Sequence, residues 1–302
     1  MPERSRRQSR SPTWKCCSVR DPKQATHLDE VAQDALLLDD EARIARIDRD
    51  LWIGYGRAKE AHARLGRILL SERRMRPDNL LIVGASNNGK TAIARRFLAR
   101  HTVAEDAEAE RSTIPVALIQ APNGPRIPPL LAAICAALGR TPGPRRTTAQ
   151  LRAETHKAML DVGLRLLLID DLHNVKGTGV GPMLVELREI AYVLRQDEQL
   201  ANRLEPCVLP RWATSDPDYP RLLATFERYL PLREPSGLAA PEMAGRILAR
   251  ADGLIGGVAA LLRRAATEAV RTGRERIDAA MLGQAGLVSP TALEEVTLAA
   301  RA

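Results

Sequence analysis

The hydrophobic positions of this chain fall into short unbroken runs that alternate with stretches of helical spacing. The mainly apolar runs Leu80–Val83, Pro115–Gln120 and Arg165–Ile169 predict β-strands, because a strand that is buried on both faces is apolar at successive positions. Apolar residues three and four positions apart predict helices over 58–70, 92–101, 130–138 and 149–162. Alternating strands and helices are typical of βαβ units, so we expect an α/β fold with a parallel sheet flanked by helices.

The two ends of the chain follow other patterns. Residues 1–24 are rich in Arg, Ser and Pro and are expected to be disordered. From Glu242 onward only helical spacing occurs, which predicts a helical C-terminal region. We therefore divide the chain into a basic tail (1–24), an α/β domain (25–235) and a helical lid and C-terminal region (236–302).

Charge and cysteine content narrow the class of protein. The formal net charge is +8, and residues 1–24 contribute most of it through seven basic and two acidic side chains. Such a tail suits nucleic acid, and it equally suits a solvated terminus. The four cysteines form no C-x-x-C pair, and no apolar run is long enough for a membrane span or a signal peptide. We expect reduced thiols, no membrane association and a cytoplasmic location.

One segment after the first predicted strand matches the pattern G-x-x-x-x-G-K-[ST]. Its glycines let backbone N–H groups surround phosphate oxygens, its lysine would reach the β- and γ-phosphates, and its threonine hydroxyl would bind Mg²⁺. The helix that follows directs its positive end at the same anion. The residues are Gly84, Ala85, Ser86, Asn87, Asn88, Gly89, Lys90 and Thr91.

The second half of such a site is an acid at the end of another buried strand. Asp170 and Asp171 follow the run Leu166–Ile169. Asp170 would hold Mg²⁺ through water, and Asp171 could polarise the attacking water. The usual residue at the second position is glutamate, and the shorter aspartate could misplace that water. The alternative reading of Asp171 is a helix N-cap without a catalytic part.

Beyond these two motifs, further stretches of the chain follow a recognisable order. With the motifs, they are 50–55, 79–91, 169–174, 197–206, 209–212, 230–236 and 253–256. Together they resemble the TniB-type transposition ATPases of the AAA+ class, which are relatives of TnsC, IstB and MuB. The resemblance covers about residues 26–280, and the stretches stand in the order of the family.

This resemblance implies an ATP- and Mg²⁺-dependent protein that assembles on double-stranded target DNA as a ring or filament and activates a DDE transposase. A target-selection partner is also compatible with it. Nucleotide then lies between subunits, where Arg203 of a neighbouring copy would act as an arginine finger. Ile53 and Tyr55 belong to the segment that resembles the adenine-contacting segment of the family, and the C-terminal helices resemble the lid.

Further arginines have weaker assignments. Arg263 and Arg264 lie where some AAA+ proteins place a sensor arginine, although a solvated face is the alternative reading. Candidate contacts to the DNA backbone are Arg126, Arg140, Arg145 and Arg146, which could equally be plain surface residues.

The chain departs from the family pattern after Asn174, where it is too short for both a helix and a sensor strand. Pro182–Leu187 could be that strand, but a parallel connection needs a dozen or more residues. We favour the alternative, a single helix over Pro182–Leu200, because Pro182 suits a helix start and the apolar spacing is helical.

The function that we expect is therefore an ATP-dependent DNA-binding transposition protein. The alternative is a nucleotide-binding adaptor that lacks hydrolysis because of the shortening after Asn174. The sequence predicts nucleotide binding and leaves turnover open. A small-molecule kinase is disfavoured, because the chain has no substrate-side kinase motif.

Overall fold

The computed structural model describes residues 25–49, 51–72, 79–102, 113–122, 127–143, 145–171, 183–185 and 204–284. The helices are α1 (Glu30–Ala35), α2 (Asp40–Ile47), α3 (Gly56–Leu70), α4 (Lys90–His101), α5 (Ile127–Ala137), α6 (Thr148–Asp161), α7 (Tyr219–Tyr229), α8 (Pro241–Ala251), α9 (Ile255–Arg271) and α10 (Ala279–Gln284). The strands are β1 (Asn79–Gly84), β2 (Val116–Gln120), β3 (Leu166–Asp170), β4 (Met183–Val185) and β5 (Leu204–Leu209).

The five strands form one sheet in the order β2-β3-β4-β1-β5. The pairs β2–β3 and β1–β5 are parallel, as the alternation of strands and helices predicts. Successive residues of a strand point to opposite faces of the sheet, and here both sets are apolar, so helices cover both faces. Leu167 and Ile169 of β3 pack with α5 and α6, whereas Leu166 and Leu168 pack with α3 and α4. The predicted fold class, an α/β domain with a mainly parallel sheet flanked by helices and followed by C-terminal helices, is confirmed for the described residues.

The centre of the sheet corrects one expectation. Residues 183–185 form β4, which runs antiparallel to both β3 and β1, so the predicted helix over 182–200 is wrong at these three positions. An antiparallel neighbour needs no crossover helix, so a short connection from β3 is sufficient. Without β4, the facing edges of β3 and β1 would be left without hydrogen-bond partners in the middle of the sheet. Residues 186–200 lie outside the described part of the chain.

A second core joins the C-terminal helices to elements from elsewhere in the chain. It includes Ile47 of α2, Trp212, the apolar face of α7 and the buried faces of α8 and α9. Helix α7 therefore shares a core with the helices after Pro241, although it precedes position 236. Among the described residues, no helix is both long and apolar enough to cross a membrane.

A buried arginine of α2 holds this helix against the C-terminal core. Arg43 of α2 is only 1% exposed, and its guanidinium donates to both carboxylate oxygens of Glu275, at 2.8 and 2.6 Å. Burial alone would raise the pKa of Glu275, but hydrogen bonds from Arg43 and the backbone of Arg233 outweigh burial and lower it. The carboxylate therefore stays ionised, and α2 is held in place as one wall of the cavity that contains the candidate site.

Candidate nucleotide-binding site

The phosphate loop, residues 84–91, connects the end of β1 to the start of α4. Gly89 is the N-cap of α4 and has φ of +83°, a conformation in which any residue with a Cβ is strained. Asn87 also has a positive φ, of 59°. The first N–H groups of α4 have no partner within the helix, which makes this end of the helix suited to an anion.

Lys90 lies folded into the loop to which it belongs. Its Nζ donates to the carbonyl oxygens of Gly84, at 2.9 Å, and Ala85, at 2.8 Å. Burial lowers the pKa of Lys90, and the nearby charges of Asp170 and Asp171 act in the opposite direction. Because a phosphate oxygen is a stronger acceptor than a neutral carbonyl, a bound phosphate could take over these hydrogen bonds.

The acidic pair stands at the carboxyl end of β3. Asp170 is 7% exposed, and its Oδ1 accepts a hydrogen bond from the backbone N–H of Asp171, at 3.0 Å. Asp171 has a positive φ of 56°, and its Oδ2 accepts from the side-chain amide of Gln120, at 2.9 Å. Asp171 lines the same cavity as the phosphate loop, so the structure brings the two sequence motifs together.

That cavity has a volume of about 520 Å³, within the roughly 300–1,000 Å³ that is usual for small-molecule sites. One wall is the phosphate loop with Thr91, and a second is the segment 51–55, which includes Ile53 and Tyr55. The remaining walls come from the N-terminal helices, the end of α7 and the start of α9.

The segment before α3 supplies an aromatic wall. Tyr55 meets the ring of Trp212 edge to face, with ring centroids 5.2 Å apart, and burial raises the pKa of Tyr55 to about 12. Ile53 is buried, and Trp52 stacks on His62 in nearly parallel planes, with ring centroids 5.2 Å apart. Tyr55 is therefore neutral at physiological pH and presents an apolar ring face, as a planar base requires.

Three of the stretches that carry the family resemblance meet at the loop. The backbone N–H of Trp212 donates to Gly253 O at 2.8 Å, and the N–H of Gly256 donates to Asn87 O at 3.0 Å. A Cβ at Gly256 would overlap the side chain of Asn87, so the approach of α9 to the loop depends on this glycine.

The sequence did not single out the side chain of Asn88. It is 3% exposed, and its Nδ2 donates to the carbonyl oxygens of Leu209, at 2.7 Å, and Pro210, at 3.2 Å. The motif leaves position 88 open, so no local signal indicates this contact; it depends on β5 lying beside β1.

The remaining predicted residues are placed as follows. Arg203 and Arg126 lie outside the described residues. Arg263 lines the cavity and donates to Asp48 O at 3.4 Å, whereas Arg264 is exposed. Arg140 and Arg146 form ion pairs with acids of α6: Arg140 with Asp161 at 3.8 Å, and Arg146 with Glu154 at 2.9 Å.

Solved structures include distant likenesses. The Aeropyrum pernix ORC1 protein, solved in complex with DNA, is 18% identical and has a TM-score of 0.45 over 80% of this chain and 68% of that chain. No functional property follows from a likeness of this size. A comparison with curated protein sequences gave no match.

The family comparison agrees with the motifs. Residues 43–181 match the model of the family described as "Bacterial TniB protein". The matched range contains the aromatic wall, the phosphate loop and the acidic pair. Over these residues, which make up less than half of the chain, the chain is similar to the TniB family.

Proposed function

We propose that the cavity binds ATP together with Mg²⁺. The observation that carries this proposal is the phosphate loop, with Lys90 folded into it and Asp170 and Asp171 close enough to influence its pKa. Backbone N–H groups of residues 84–89 would hold the phosphates, and Lys90 would contact the β- and γ-phosphates.

Residues around the phosphate loop suit the base of ATP and the Mg²⁺ ion. Ile53 and Tyr55 would pack on the base, since both line the cavity and Tyr55 offers an uncharged aromatic ring. Mg²⁺ prefers oxygen ligands. The Thr91 hydroxyl would bind it directly, and the Asp170 carboxylate would hold it through water. When bound, Mg²⁺ would neutralise charge on the β- and γ-phosphates.

For hydrolysis, we propose that Asp171 orients the attacking water and that Arg203 of a neighbouring copy stabilises negative charge on the transferred phosphoryl group. The second candidate function is a nucleotide-binding adaptor without turnover. The contact between Gln120 and Asp171 favours it, because the carboxylate is already engaged and is one methylene shorter than glutamate. A displacement of about 1 Å can cost roughly 10²-fold in rate.

At the level of the whole protein, we propose an ATP-dependent DNA-binding transposition protein that acts in the cytoplasm. It would assemble on target DNA as a homo-oligomeric ring or filament and activate or direct a DDE transposase. The match of residues 43–181 to the model of the TniB family supports this proposal.

The test is the ATPase rate with and without double-stranded DNA, for the wild type and for Lys90→Ala. DNA-stimulated turnover that Lys90→Ala abolishes supports the hydrolysing function. DNA binding that requires ATP, with no turnover, supports the adaptor. Nucleotide binding that is indifferent to DNA contradicts both.

A further inference from the structure

We propose that Asn88 is a positioning residue that couples the phosphate loop to the orientation of the C-terminal helices. The inference rests on the proposed nucleotide site. Position 88 is one of the unspecified positions of the motif. We infer that, through Asn88, nucleotide binding at the loop orders the start of α9, which forms another wall of the cavity.

The first contact joins the loop to the end of β5. A side-chain amide has two N–H donors, and the Asn88 amide contacts two successive carbonyls, of Leu209 and Pro210. The amide is almost fully buried. Its removal would leave both carbonyls without this donor, which is costly in a buried setting.

The second contact joins the residues after β5 to the turn before α9. The backbone N–H of Trp212 donates to Gly253 O, at 2.8 Å, and the guanidinium of Arg211 donates to Asp252 O, also at 2.8 Å. Whatever moves the segment 209–212 therefore also moves the turn at 252–253.

The third contact returns to the loop. The N–H of Gly256, in the first turn of α9, donates to the carbonyl oxygen of Asn87, at 3.0 Å. Asn87 and Asn88 are adjacent, so the three contacts link the loop, the segment 209–212 and the residues 252–256 into a closed circuit that returns to the loop. A phosphate that orders the loop would thereby also order the start of α9.

The experiment measures hydrogen–deuterium exchange with and without a non-hydrolysable ATP analogue. In the wild type, we expect the analogue to slow exchange both in peptides covering 84–91 and in peptides covering 252–258. In Asn88→Ala, we expect protection of 84–91 to remain and the nucleotide-dependent protection of 252–258 to fall by about fivefold or more, from the loss of buried hydrogen bonds.

A purely structural role predicts a different result. Exchange at 252–258 would then rise equally with and without the analogue, and this outcome would overturn the proposal. Protection of both segments in Asn88→Ala, as in the wild type, would overturn it as well.

A second variant breaks the circuit from the other side. Gly256→Ala places a methyl group on Asn87 and should uncouple the two segments in the same way, whereas Gly245→Ala is the control, because open space surrounds its Cβ. Gly256→Ala decides the matter if the Asn88 variant does not fold. Coupling preserved in Gly256→Ala would overturn the proposal.

The same data separate this proposal from the nucleotide site itself. If the analogue protects 84–91 in the wild type but never 252–258, only the coupling is wrong. If it protects neither segment in the wild type, both proposals are overturned.

Discussion

The phosphate loop and Asp171 of the acidic pair line the same cavity, but the loop and the pair owe their conformations to different contacts. The backbone conformation of the loop comes from residues within it, through the left-handed Asn87 and Gly89 and the hydrogen bonds from Lys90 Nζ to the carbonyls of Gly84 and Ala85. Distant segments contact the loop at Asn87 and Asn88. The acidic pair depends on distant residues. Asp171 is held by Gln120 of β2, and the N–H of Ala121 donates to Asp170 O, at 2.8 Å.

This difference explains why a short motif predicts one half of the site better than the other. Eight consecutive residues specify the loop, so its conformation can be inferred from a pattern. The positions of Asp170 and Asp171 depend on how β3 pairs with β2 and β4, and pairing across a sheet is set by packing rather than by local sequence. Changes in the sheet should therefore disturb the acidic half through stability, whereas changes in the loop should act on binding directly.

The largest effect is expected for Leu168→Ala in β3. Leu168 is fully buried and packs in the same core as Leu80 and Ile82 of β1. The substitution should lower the free energy of unfolding by about 2–5 kcal/mol, measured by urea denaturation. Leu160→Ala is the control, because Leu160 is 50% exposed and should change the free energy by less than about 0.5 kcal/mol. Equal losses in the two variants would contradict the buried position of β3.

A smaller effect is expected for Asp170→Asn, which keeps the shape of the side chain and removes its charge. Affinity for ATP should fall about 10- to 100-fold in the presence of Mg²⁺, as for residues that act on a metal through an intervening group. The affinity measured with EDTA should not change. Asp161→Asn, at the exposed end of α6, is the charge-matched control. An equal loss with and without Mg²⁺ would argue against a metal-holding role for Asp170.

The smallest effect is expected for Gly89→Ala in the loop. A left-handed alanine costs about 1–2 kcal/mol, and Gly163→Ala should show the same penalty at a φ of +66° far from the cavity. Both variants should lose about this much stability in thermal unfolding, and Gly89→Ala slightly more, because its Cβ would lie 3.2 Å from Cγ2 of Ile255. Only Gly89→Ala should also weaken nucleotide binding. Weaker binding in both variants would show that stability, rather than the geometry of the loop, controls the site.

Much of this architecture could be predicted from the sequence. The buried runs at 80–83 and 166–169 became β1 and β3, and helical spacing located α3 to α6 to within a few residues. The strand at 183–185 could not be predicted from local sequence, because its apolar residues suit a strand and a helix equally. The strand forms because it supplies hydrogen-bond partners to the facing edges of β3 and β1. The contacts of Asn88 and Gly256 depend on segments more than 100 residues away.

Direct titration with ATP, by calorimetry on the wild type and on Lys90→Ala, tests the central claim that residues 84–91 form a nucleotide site. The wild type should bind one ATP per chain in the presence of Mg²⁺. Lys90→Ala should bind about 10- to 150-fold more weakly, the range expected for hydrogen bonds to charged groups. Equal affinity in the two proteins, or no binding by the wild type, would contradict the claim.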